Sequence, residues 1–173
     1  LFTFFATAPA ILISELGLTG LQLALYFAAT VFIVFGAGLL APRLARRWGT
    51  PRAVMVGALV ALVGSLVIMA LAATPSLLSI TVGLGLFLLG MGVLNPLGTA
   101  ITLQPFALNA GLASALLGFL QMACAAIGST VASLLPFPPT AALAATMAAG
   151  STLALLVLIP VIFSRKHAKP ALS

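Results

Sequence analysis

Apolar residues run almost unbroken through six stretches of the chain, 1–13, 20–41, 53–73, 77–103, 109–135 and 140–163, with polar or helix-breaking residues between them. At 1.5 Å per residue, a helix needs ~20 residues to cross the hydrocarbon core of a bilayer. The last five stretches meet that length and the first reads as truncated. The pattern therefore predicts an all-α membrane protein of about five complete helices preceded by the end of another. Strands of a membrane barrel are about half as long and alternate apolar with polar positions, which these stretches do not.

The breaks have recognisable local chemistry. Residues 14–19 form a short loop, and Thr19 with Gln22 has the capping-box spacing that satisfies free backbone N–H groups at a helix start. Residues 73–76 read as a tight turn, Pro105 as the breaker within 104–109, and the run Pro136, Phe137, Pro138, Pro139 cannot continue a helix. None of these connections is long enough to hold a soluble domain. Residues 1–163 are thus one helical bundle and 164–173 a basic tail. Because the chain starts at Leu1 inside an apolar run, without a charged leader, we read it as a piece of a longer protein.

Composition agrees with the pattern: 63% of residues are hydrophobic, 5% are charged, and the mean hydropathy is +1.34. The net charge of +6 comes from seven Lys and Arg in two short clusters, not from a broad basic face of the kind nucleic acids use. Arg43, Arg46, Arg47 and Arg52 occupy one predicted loop, and Arg165, Lys166 and Lys169 the tail. The positive-inside rule puts both in the cytoplasm. An even number of predicted helices separates them, so the two assignments agree. The single acid, Glu15, then lies on the outer side. The single cysteine, Cys124, excludes an intrachain disulfide and a thiolate metal cluster, and reads as a small packing residue.

Polar side chains within the spans carry the candidate chemistry, because in hydrocarbon they need a partner, water or a ligand. Gln22, Tyr26 and Thr30 recur every fourth residue; Asn95, Gly98, Thr99 and Thr102 cluster beside Pro96. The fifth stretch carries a stripe of Ala110, Ser114, Gly118, Gln121, Ala125 and Gly128 opposite Leu112, Leu116, Phe119, Leu120 and Ile127. Each has a structural alternative. Gln22 can serve as a cap, the stripe as a close helix contact, Asn95 as a partner for backbone groups freed by Pro96, and Gln121 as an interhelical hydrogen-bond donor. Thr146, Ser151 and Thr152 can bond their own backbone carbonyls. No Asp, Glu, Lys, Arg or His lies deep in a span, so no catalytic base, ion site or proton relay is expected, and no enzyme.

The stretch GLLAPRLARR resembles the loop signature of major facilitator transporters: glycine, three variable residues, aspartate, a basic residue, one variable residue, glycine and two basic residues. Gly38, Arg43, Arg46 and Arg47 match in register, whereas Pro42 replaces the aspartate and Ala45 the second glycine. Such departures suit the degenerate copy that family carries between its eighth and ninth helices. FATAPAILISELGLT, GMGVLNPLGTAITLQPF and AGLASALLGFLQMACAAIGS look like the seventh, tenth and eleventh helices of Bcr/CflA-type drug efflux carriers.

That resemblance implies the C-terminal six-helix half of a major facilitator fold, in a bacterial inner membrane with a cytoplasmic C-terminus. It implies proton-coupled efflux of drug-like molecules by alternating access, with the coupling carboxylate in a missing N-terminal half. The seventh and tenth helices would line the cavity, and the eighth and eleventh would pack against the other half. Cavity candidates are Thr7, Tyr26, Thr30, Asn95, Thr99 and Gln121; packing candidates are Ser114, Gly118, Ala125 and Gly128. The absence of fixed charge there points to a neutral or weakly polar substrate, without a cofactor or metal. A half-size transporter that dimerises and a non-transporting membrane scaffold are the alternative readings.

Overall fold

The computed structural model describes residues 4–5, 9, 12–13, 17–72 and 76–167, the last seven by backbone alone. Among them every regular element is a helix: α1 (Gly20–Trp48), α2 (Thr50–Ala70), α3 (Leu77–Leu103), a 3-10 segment (Gln104–Asn109), α4 (Ala110–Leu134) and α5 (Pro139–His167). Residues 4–5, 9 and 12–13, within the first apolar stretch, are helical too. Among the described residues, four continuous helical runs are long and apolar enough to cross a membrane, the third being Leu77–Leu134.

That third run is a hairpin. If it were straight, Asn95 and Gln121 would be roughly 39 Å apart at 1.5 Å per residue; instead both line one cleft. The reversal occurs in the 3-10 segment, which starts with Pro105 in its first turn and breaks helical geometry at Phe106 (φ −106°, ψ 27°). Pro105 was the expected breaker, and it acts by withholding an N–H from the ladder.

Local signals account for most helix ends. At the start of α1 the Thr19 N–H donates to Gln22 Oε1 at 2.9 Å and Thr19 Oγ1 accepts from the Gln22 N–H at 3.4 Å, closing the expected capping box. Ser76 and Ser79 make the same reciprocal pair at α3, each bond 3.1 Å. Between α1 and α2 a single residue, Gly49, turns the chain at φ 84°, a left-handed value that glycine adopts without a Cβ penalty.

This last junction corrects the sequence reading. The basic stretch expected as a loop after residue 41 is helix: α1 continues through Pro42, Arg43, Arg46 and Arg47 to Trp48, and α2 starts at Thr50 rather than 53. Arg46 and Arg47 fall in the last turn of α1, where positive charge meets the negative end of the helix dipole. Apolar composition stops at the first arginine, whereas backbone hydrogen bonding does not. Likewise α5 runs to His167, so 164–167 of the basic tail are helical.

Helices α2 and α3 form the central pair, α1 lies against α3, α5 against α2, and α4 stands apart with only slight contact to α3 and α5. Lipid tails are as apolar as leucine, so close van der Waals approach has to supply the cohesion, and small residues permit it. Gly57, Ala61 and Gly64 of α2 are buried against Gly83 and Gly90 of α3. A Cβ on Gly57 would come 2.9 Å from the Gly90 carbonyl oxygen. Between α1 and α3 a Cβ on Gly92 would lie 2.6 Å from that of Ala37. Leu84, Phe87 and Leu88 join Leu143 and Met147 of α5 in the main core. In α4 only Ala132 is buried.

Candidate functional site

The C-terminal half of α3 and the first half of α4 diverge enough to leave a cleft of about 400 Å³. Its walls carry Asn95, Pro96, Thr99 and Leu103 from α3, and Ser114, Leu117, Gly118 and Gln121 from α4. Helical spacing explains the selection: 95, 99 and 103 share one face of α3, and 114, 117, 118 and 121 share one face of α4. The hairpin turns these two faces toward each other.

The hydrogen bonds divide the polar groups in the cleft. Ser114 Oγ donates to the Ala110 carbonyl at 2.6 Å, so it is engaged with its own helix. Asn95, Thr99 and Gln121 make no side-chain hydrogen bond among the described residues. Asn95 therefore does not serve the backbone groups freed by Pro96, and Gln121 does not bridge two helices, although both roles were open from sequence. Two amides and a hydroxyl, offering donors and acceptors, face a shared space. No charged side chain lines it.

The other expected cavity residues lie elsewhere. Tyr26 faces the N-terminal part of α3, its hydroxyl 3.4 Å from that of Thr81, which donates to the Leu77 carbonyl at 2.6 Å. Thr30 is 4% exposed and donates to the Phe27 carbonyl at 2.7 Å, which leaves it no free donor. Gln22 is in the capping box. Thr7 and Glu15 lie outside the described residues.

The stripe on α4 is not where the described helices approach most closely. A Cβ on Gly118 would meet nothing within 4 Å. Ser114 and Gly118, expected as packing residues, border the cleft, while Gly128 borders a second cavity further along α4. Ala125 is half-buried on the same helix. Their spacing with Gln121 could have marked Ser114 and Gly118 as cleft residues, since all three share one helix face.

Of the motif positions, Gly38 lies against α3, and a Cβ there would sit 3.7 Å from the Gly92 carbonyl oxygen, an ordinary contact. Space alone does not require glycine. Arg43, Arg46, Arg47 and Arg52 are exposed and have no carboxylate partner among the described residues, which include none of the chain's single acid.

Long apolar helices around a partly polar crevice define a multi-pass helical membrane protein. No family model matches the sequence, and neither a curated protein nor a solved structure matches it.

Proposed function

We propose that this chain forms one half of a secondary active transporter of the major facilitator type, which exports small neutral or weakly polar molecules by alternating access. The observation that carries the reading is the meeting of Asn95, Thr99 and Gln121, each without a hydrogen-bond partner among the described residues, on a cleft of about 400 Å³. Ligand pockets commonly have volumes of ~300–1,000 Å³ and a few convergent polar groups on otherwise apolar walls. Each free amide offers both donors and an acceptor to a polar substrate atom. Proton exchange is assigned to groups in a partner half, and the C-terminus and basic boundary to the cytoplasm of a bacterial cell.

The motif-like run of Gly38, Arg43, Arg46 and Arg47 supports the family assignment, with Pro42 in place of the acid limiting any charge pairing there. Export of Nile red, a neutral fluorescent dye, from energised cells expressing the complete gene tests the proposal. Gln121→Ala slows export at least about twofold, the smaller effect expected for one lost hydrogen bond, at unchanged abundance in the membrane. Export unchanged by both Gln121→Ala and Asn95→Ala would sink it.

A further inference from the structure

A second cavity, of about 300 Å³, lies beyond the polar cleft where α2, α3, α4 and α5 come together. Ala58 and Ala61 of α2 and Phe87 and Met91 of α3 give it an apolar floor; Cys124 and Gly128 of α4 and Gly150 and Ser151 of α5 give it small walls. No charged residue lines it.

Ser151 distinguishes this cavity from a packing defect. The neighbouring hydroxyls are engaged with their own helix, Thr146 donating to the Ala142 carbonyl and Thr152 to the Ala148 carbonyl, both at 2.8 Å. Ser151 was expected to do the same, yet it has no hydrogen-bond partner among the described residues, although it is only 7% exposed. No side-chain oxygen among the described residues is both sealed from solvent and unpaired. The Ser151 hydroxyl therefore opens onto the cavity it lines. A hydroxyl in an apolar site gains most from a ligand that brings one complementary polar atom.

We propose that this cavity binds a small uncharged molecule with a largely apolar body and a single hydroxyl or carbonyl oxygen, held by a hydrogen bond to Ser151. Its volume lies at the lower end of the ~300–1,000 Å³ typical of ligand pockets, so the ligand is about the size of one substituted ring. The site is separate from Asn95, Thr99 and Gln121 and does not depend on the transport reading.

The chain's one cysteine reports occupancy, because Cys124 is exposed and on the cavity wall. The probe is thymol, a single-ring phenol, added to the purified full chain in detergent while N-ethylmaleimide alkylates Cys124. Thymol slows alkylation in a saturable way. Ser151→Ala raises the half-protecting concentration about fivefold, as expected for one hydrogen bond. Gly150→Leu removes protection by filling the space, and a Cβ at Gly150 meets nothing within 4 Å, so the variant can fold. A cysteine placed on the exposed face of α1, Phe32→Cys in a Cys124→Ser background, is unaffected. The proposal is overturned by an unchanged Cys124 rate up to the solubility of thymol, by equal slowing at Phe32→Cys, or by full protection in both cavity variants.

Discussion

Gly64 and Gly83 face each other across the α2–α3 interface so closely that a Cβ on Gly64 would lie 2.5 Å from the Gly83 carbonyl oxygen, and one on Gly83 3.0 Å from the Gly64 carbonyl. For Gly64 every near obstacle is backbone, which cannot rotate away, whereas Gly83 also meets the Ile68 side chain. Gly64→Ala must separate the two helices, and we expect a loss of about 1–3 kcal/mol, as for other overpacked sites. Gly85, two residues further along α3 from Gly83, meets nothing within 4 Å, so Gly85→Ala is neutral or stabilising by up to about 1 kcal/mol. Denaturation of the two variants in mixed micelles, side by side, checks the contrast.

Thr30 and Gln121 are both polar residues within spans, yet they should behave differently. The Thr30 hydroxyl is bonded to its own helix at Phe27, so Thr30→Val, which keeps the shape, leaves Nile red export within about twofold of the parent. A loss comparable to that of Gln121→Ala would return Thr30 to the cleft.

The short turns on either side of α2 should appear on opposite faces of the membrane. That helix has 21 residues, roughly 30 Å of rise. In a Cys124→Ser background, a membrane-impermeant maleimide applied to intact cells labels Ser76→Cys and spares Arg52→Cys. The reverse pattern would show that the arginines face outward.

Thr19→Ala opens the capping box at the start of α1 and frees the Gln22 N–H. The expected cost is about 1 kcal/mol, measured as a lower unfolding midpoint. An unchanged midpoint would mean that other groups already satisfy that helix end.

Much of the fold can be read from hydrophobic run length because bilayer thickness imposes it. The stretch 77–103 coincides with α3, and the Thr19–Gln22 cap forms as its spacing predicts. Where composition and backbone geometry separate, the reading fails. Arginines end an apolar run and yet favour a helix C-terminus, so α1 continues seven residues beyond 41 to Trp48.

The same distinction applies to the site. Polarity within a span identified Asn95, Thr99 and Gln121, and the hairpin brings them together. Whether a hydroxyl is already engaged depends on a rotamer, which spacing does not encode. Thr30, Thr146 and Ser151 look alike in the sequence, and only Ser151 keeps its hydroxyl free. Nor does a small-residue stripe name its neighbour. The stripe on α4 borders open space at Gly118, whereas the closest approach uses the glycines of α2 and α3.

The volume between α3 and α4 can also be expressed in molecules of solvent. At ~30 Å³ each, a cleft of that size has room for about a dozen waters. Pro96, Leu103 and Leu117 form part of its wall, and water beside them would have no hydrogen-bonding partner on that side. On the proposed transport function, a substrate entering beside Asn95 and Gln121 would return such water to bulk, and its apolar body would then add to binding even though the groups that orient it are amides.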